Sequence, residues 1–198
     1  AEALEELAHM RALPHMTVIV PCDAVEARKA TIACADYPGP VFLRLARAPT
    51  PAITKESDPY RIGQAVVMRP GDDVTLIGCG LMALHALQAA ELLAKDDIQA
   101  SVINLHTIKP LDEAVLLAAA KETGAIVTAE EHTVLGGLGG AVAEVVVQHH
   151  PVPMRFVGIA GHFGTSGDPV ALLKVFHLMP EDIAKAAKDV LRLKQGAL

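Results

Sequence analysis

The 198-residue sequence has no tryptophan, two tyrosines and four phenylalanines, an aromatic share of 3%. A core so poor in rings must be filled by Ala, Val, Leu and Ile, which suits helices packed on a parallel sheet. Cysteine is scarce as well: Cys22, Cys34 and Cys79 are odd in number and form no C-x-x-C. That excludes a disulfide framework and fits reduced thiols filling a core in a cytoplasmic protein. Positive charge is in deficit, with 17 Lys and Arg against 23 Asp and Glu and a formal net charge of -6. No basic stripe is left to neutralise nucleic-acid phosphates. No apolar run approaches the roughly 18 residues that a bilayer span needs, which excludes a membrane helix. Ala1-Glu2-Ala3 does not have the pattern of a signal peptide, and the sequence does not begin with Met, which is compatible with a processed or excised piece. Internal repeats and low-complexity tracts are lacking too.

What is present is apolar residue, 52% of the chain against 20% charged, enough for a substantial core and too much for disorder. A short helical pattern opens the chain, followed by the strand-like Thr17-Val18-Ile19-Val20. Asp23 and Glu26 have the spacing of a capping box, which predicts a helix over residues 24–35. Tyr37-Pro38-Gly39-Pro40 ends it, and Val41-Phe42-Leu43-Arg44-Leu45 reads as a strand. Pro49, Pro51 and Pro59 mark residues 48–59 as a linker.

Beyond the linker the chain alternates. Strands are predicted at residues 65–68, 74–77, 101–104, 125–129 and 155–159, and helices at 82–94, 112–122, from Leu138, and from Pro180. Leu138, Ala141, Val142, Val145 and Val146 share one helical face, as do Ile183, Ala186, Ala187, Val190 and Leu191. Asp168-Pro169 pairs an N-cap with proline at the first helical position, and Asp112, after Lys109-Pro110-Leu111, suits another helix start. Apolar strands alternating with helices imply a mostly parallel sheet covered on both faces.

One turn raises a specific question. Gly78-Cys79-Gly80-Leu81-Met82-Ala83 reads G-x-G-x-x-A after an apolar strand, the layout of a dinucleotide site. Such a site wants an acid about 20 positions on, at the end of the next strand. That strand ends in Asn104-Leu105-His106, and Asp96 and Asp97 come before it begins. The turn therefore reads as strand-to-helix architecture. Glu130-Glu131-His132, followed by glycines 136, 137, 139 and 140, suggests acid-base chemistry, but its place between a strand and a helix suits a tight turn or an interface. His149, His150 and His162 lack the spacing of metal ligands.

Six segments in order carry a likeness: "MRALPHMTVIVPCDAVEARKA", "GPVFLRLARAP", "DDVTLIGCGLMALHAL", "HTIKPLD", "EEHTVLGGLGGAVAEVV" and "HFGTSGDPVALL". Together they resemble the C-terminal part of transketolases, above all those split into N- and C-terminal chains. The resemblance implies that residues 1–47 end a pyrimidine-binding domain and that residues 60–198 form a transketolase C-terminal domain. The fold implied is α/β: a three-layer α/β/α arrangement on a mostly parallel five-stranded sheet with one antiparallel strand, preceded by a remnant of a second α/β domain.

The resemblance also implies chemistry. Family members move a two-carbon ketol unit between sugar phosphates with thiamine diphosphate and Mg²⁺ or Ca²⁺. The family's activating glutamate, its ring-stacking aromatics and its G-x-T/S-H-Q-like segment all lie upstream of the segment matched by Ala1. The diphosphate and metal belong to another domain or chain. The resemblance thus implies no catalytic, cofactor-binding or metal residue on this chain, and no activity alone. It implies an N-terminal portion or subunit as partner, and a homo-oligomer, a dimer in the family. Arg47, ending the P-V-[apolar]-[apolar]-x-L-x-R segment, falls where the family places an arginine near the substrate phosphate; a solvated linker arginine is the bland alternative. Arg44 reads as a surface or interdomain ion-pair residue. Deoxyxylulose-phosphate synthase and the 2-oxoacid dehydrogenase beta subunit share the architecture, though "LRLARAP" and "HTIKPLD" favour transketolase. A non-catalytic interaction module is the reading from another class.

Overall fold

Val74–Gly78 (β4) is buried at all five positions, as a strand covered on both faces must be. In the computed structural model, which describes residues 3–196, β4 is the middle strand of the larger of two sheets. The first segment supplies α1 (Glu6–Ala12), β1 (Thr17–Ile19), α2 (Ala24–Ala35) and β2 (Val41–Leu43). β3 (Val66–Arg69), β4, α3 (Leu81–Ala94), β5 (Ala100–Asn104), β6 (Thr107–Lys109) and α4 (Glu113–Thr123) follow. β7 (Ile126–Thr133), α5 (Leu138–His149), β8 (Met154–Ile159), α6 (Pro169–Val175) and α7 (Pro180–Lys194) complete the chain.

The five-stranded sheet has the order β3-β5-β4-β7-β8. β3 runs antiparallel to β5 and every other pair is parallel, as the resemblance implies. Neighbouring residues of a strand point to opposite faces. Leu76 packs with Met82, Leu93, Ile183 and Val190 from α3 and α7. Ile77, one position on, packs with Leu116, Leu138 and Val142 from α4 and α5. Two helical layers sandwich one sheet.

The smaller sheet draws on both sides of the linker. β1 pairs in parallel with β2, Thr17 opposite Val41 and Ile19 opposite Leu43. Its other edge is taken by β6, antiparallel, with Val18 opposite Lys109 and Ile19 opposite Thr107. Lys109 therefore sits in a strand rather than at a helix start. Its Nζ donates to the carbonyls of Arg11 at 2.9 Å and Leu13 at 2.6 Å, closing the C-terminal end of α1. The helix start belongs to Asp112, whose Oδ1 accepts from Val115 N while Oδ2 accepts from Ala65 N. Leu7, Val18 and Val20 of the first segment lie in one cluster with Ile77, Ile103 and Leu105 of the second.

β7 also outruns its predicted end, continuing through Glu130, Glu131 and His132 to Thr133. These residues belong to a strand and not to the turn. Residues 48–59 contain neither helix nor strand, as the prolines require, but they are fastened. Lys29 Nζ donates to the carbonyls of Lys55 and Asp58.

Candidate functional site

In open α/β sheets, functional groups gather beyond the carboxyl ends of the parallel strands. The carboxyl end of β1 leads into Cys22 and Asp23, and that of β2 into Arg44 and Arg47. Asp23 is buried, 3% exposed. Its Oδ1 accepts from Glu26 N at 2.8 Å and so caps α2. Its Oδ2 accepts from the backbone N–H of Ile53 and of Thr54, both at 2.7 Å. The Thr54 hydroxyl donates to the same carboxylate at 2.8 and 2.9 Å. Burial pushes this carboxyl up, but the donors from Glu26, Thr54 and Ile53 outweigh it and hold the group below the usual aspartate value.

Glu26 forms only half of the predicted capping box. Its Oε2 accepts from Cys22 N at 2.7 Å, one residue before the cap, and its Oε1 accepts from Asn104 Nδ2 at 2.8 Å. Burial pushes its carboxyl above the ordinary glutamate value, and the charge of Asp23 adds to the push against the bonds from Cys22 and Asn104. Asn104, at the position where a dinucleotide site needs an acid, is thus spent on internal structure. Beside it, His106 is fully buried and stacks on Tyr60 with ring centroids 4.5 Å apart and planes 29° from parallel. Burial lowers its imidazolium to about 4, so the ring is neutral at pH 7. The thiols of Cys22 and Cys79 are raised, chiefly by burial, and stay protonated. All three cysteines are free.

Arg47 stands apart from this seam. It is exposed and, among the described residues, makes no hydrogen bond or ion pair. Its loop is fixed on both sides. Upstream, Arg44 N donates to Ile19 O at 2.8 Å. Arg44 Nε pairs with Glu6 at 2.7 Å, and its other guanidinium nitrogen donates to Glu131 O at 3.0 Å, so Arg44 is the ion-pair residue expected. Downstream, Thr50 Oγ1 donates to Cys22 O at 3.4 Å, and the Asp23 clamp follows. Arg47 is thus a guanidinium without a partner among the described residues, on a short arc whose ends are tied down. A planar, permanently charged group of this kind suits a phosphate or sulfonate oxygen pair.

The other motifs have structural work. A Cβ on Gly78 would lie 2.6 Å from Met82 O, so the strand needs glycine for the close approach of α3. Gly80, at φ +56°, donates its N–H to Val20 O at 3.1 Å. The turn that resembles a dinucleotide site is thus covered by the first segment. Glu130 is 1% exposed and accepts from Leu138 N at 2.7 Å and Gly139 N at 2.9 Å. His132 Nε2 accepts from Leu7 N at 3.1 Å while Nδ1 donates to Thr133 O at 2.8 Å. A backbone donor on one nitrogen and a carbonyl on the other fix the orientation of the ring. Among the described residues no three His, Cys, Asp or Glu side chains gather as metal ligands, His149, His150 and His162 included.

A thiamine ring needs a carboxylate with a free face. Glu26 and Glu130, the buried glutamates, have both oxygens engaged by donors of their own chain. Neither fits. The role of Asp23 in holding residues 53 and 54 was invisible to sequence reasoning, which reads only its local cap; a carboxylate followed by a proline-rich segment is too weak a signal to pair them.

Comparison with known proteins completes the picture. Residues 63–183 match the family described as transketolase, C-terminal domain, and residues 2–52 match the transketolase pyrimidine binding domain. A 6-deoxy-6-sulfo-D-fructose transketolase subunit of Clostridium sp. (strain MSTE9) is 42% identical over 192 residues, covering 97% of this chain and 60% of that protein. An apulose-4-phosphate transketolase subunit of Phocaeicola vulgatus (strain ATCC 8482) is 36% identical over 191 residues, 96% of this chain and 61% of that protein. The solved structure of a split gene transketolase, an inactive beta4 tetramer, superposes with a TM-score of 0.95 at 42% identity, over 97% of this chain and 63% of that one. The chain thus spans about three fifths of the length of the curated relatives it matches. With both domain families matched in order and the sheet topology in agreement, the chain belongs to the transketolase family.

Proposed function

We propose that this chain is the C-terminal part of a thiamine diphosphate-dependent transketolase, which moves a two-carbon ketol unit between sugars that carry a terminal anionic group. The observation that carries the reading is Arg47, an exposed guanidinium on an arc fixed at both ends, at the carboxyl ends of β1 and β2. The names of its relatives support the substrate class: one acts on a sulfonated fructose, the other on apulose 4-phosphate. Sulfonate and phosphate present the same tetrahedral oxyanion face to a guanidinium. In this role Arg47 binds and orients the end of the sugar remote from the reacting carbons.

The remaining apparatus belongs to the rest of the enzyme, an N-terminal portion or a separate subunit. The cofactor supplies the carbanion chemistry when bound there, with Mg²⁺ or Ca²⁺ holding its diphosphate. Oligomerisation of like chains, a dimer or the tetramer of the solved relative, fits the same reading. Three free thiols suit the reducing cytoplasm.

Steady-state kinetics of the complete enzyme test this with a phosphorylated and an unphosphorylated acceptor. Losing a charge-assisted hydrogen bond costs roughly 1.5–3 kcal/mol, so Arg47→Ala should weaken phosphorylated acceptors selectively, by about 10- to 150-fold at about 1.4 kcal/mol per decade. Arg47→Lys should recover part, keeping charge without the planar fork. Equal losses on both acceptors, or none, would overturn the assignment.

A further inference from the structure

Arg47 has no partner of its own among the described residues, yet a binding group must be held where its ligand arrives. Residues 45–49 carry it across a gap between two fixtures. One is Arg44, bonded to Ile19 O, Glu6 and Glu131 O. The other is built on the β1–α2 turn, where Cys22 O takes Thr50 and the Asp23 carboxylate takes Ile53 and Thr54. Capping α2 needs one oxygen of Asp23 and would be served as well by serine. The second oxygen is used wholly on the segment after Arg47, with two backbone donors and a hydroxyl converging on it. Charge-assisted bonds of this kind are about twice as strong as neutral ones, and here the carboxylate is 3% exposed. The strap has neither helix nor strand, and its other side-chain ties, from Lys29 to the carbonyls of Lys55 and Asp58 and from Arg28 to Glu56, fall further from Arg47 than the Asp23 clamp.

From this we infer that Asp23 is a positioning residue for substrate binding: its carboxylate clamps the backbone of residues 53 and 54 and so holds Arg47 at the height where the sugar's anionic group arrives. The inference rests on the phosphate-binding reading of Arg47. It adds that affinity for the anionic end of the sugar is set in part by a residue that never touches it.

Asp23→Ser keeps an oxygen in the place of Oδ1 for the cap on Glu26 N while removing Oδ2, which accepts from the backbone N–H of Ile53 and Thr54. In the complete enzyme, the ratio of KM for the phosphorylated acceptor to KM for the unphosphorylated one should rise about tenfold, the equivalent of about 1.4 kcal/mol. Thr54→Val, which removes only the hydroxyl, should raise that ratio less and serves in its place if Asp23→Ser fails to fold. Trypsin should cut the Arg47–Ala48 bond faster in both variants, a reading of strap mobility independent of activity. In the Asp23→Ser, Arg47→Ala double variant the ratio should match that of Arg47→Ala alone, because a misplaced guanidinium has nothing left to lose. A ratio unchanged in Asp23→Ser and Thr54→Val while Arg47→Ala raises it would overturn the inference alone. So would full additivity in the double variant. No ratio change in Arg47→Ala would overturn the reading beneath, and the inference with it.

Discussion

Glu130 caps a helix that begins eight residues after it: its carboxylate, on β7, accepts from Leu138 N at 2.7 Å and from Gly139 N at 2.9 Å. Gly137, the residue at the N-cap position of α5, has no side chain to offer. The orphan N–H groups of the first turn are satisfied from the strand, and the carboxylate also faces the positive end of the helix dipole. Glycines at 137 and 139 let the strand side chains come this close, since a Cβ on Gly139 would lie 2.8 Å from Thr128 Oγ1.

Glu130→Ala should therefore lower stability by about 3 kcal/mol, the cost of leaving buried donors unmade. Glu130→Gln keeps one acceptor and should lose about half as much. Urea denaturation followed by circular dichroism measures both. A loss below about 0.5 kcal/mol for the alanine variant, within the range of ordinary surface changes, would show that water replaces the cap.

His106 makes a prediction about acid. Its folded value of about 4 lies below the ordinary 6.5, so between those values the unfolded chain binds the extra proton and stability must fall as pH falls. The full shift corresponds to about 3 kcal/mol at about 1.36 kcal/mol per unit. Glu26 acts with opposite sign. Its value is raised on folding, so its neutral form favours the folded chain and its contribution declines as pH rises through its folded value. Glu26 thus opposes the His106 contribution between pH 4 and 6.5, while Asp23, held below its ordinary value, adds to it at the acid end. His106→Asn should make melting temperature rise less from pH 4 to 6.5 than in the parent; an unchanged profile would show that the ring takes up a proton as readily in the folded chain as in the unfolded one.

NADH should show no saturable binding to this chain. Gly80 N–H, which would face a pyrophosphate in a dinucleotide site, is already bonded to Val20 O, and Asn104 stands where the ribose acid is required. Fluorescence titration checks this. A saturable site lost on Gly80→Val, with circular dichroism showing the fold retained, would refute it.

Much of the larger sheet was legible because its strands are apolar runs of the right length between strong punctuators. Asp112 and Asp168 mark their helices through spacing that depends only on neighbours a few residues away. The likeness to transketolases named the family and one antiparallel strand, which the structure places at the sheet's edge as β3, and it singled out Arg47. What stayed hidden depends on contacts far apart in sequence. Thr107-Ile108-Lys109 is too short to read as a strand until Val18 and Ile19 lie beside it. Glu130 sits in a strand, yet its partner is the start of the next helix, so local spacing pointed to a turn. Asp23 looked complete as a helix cap, and nothing local tells that its second oxygen reaches residues 53 and 54, 30 and 31 positions away.

β6 carries a consequence for anyone who would recombine this protein with its relatives. The seam between the two matched families falls in the proline-rich strap, the natural place to join halves of different parents. Yet the strand that closes the smaller sheet comes from beyond that seam, and Leu7, Val18 and Val20 share their packing with Ile77, Ile103 and Leu105. A chimaera spliced between residues 48 and 59 would inherit a borrowed third strand whose side chains had been fitted to another parent's β1. The two segments share a sheet and a core cluster, so an exchange that preserves both should carry residues 105–109 along with the first 47.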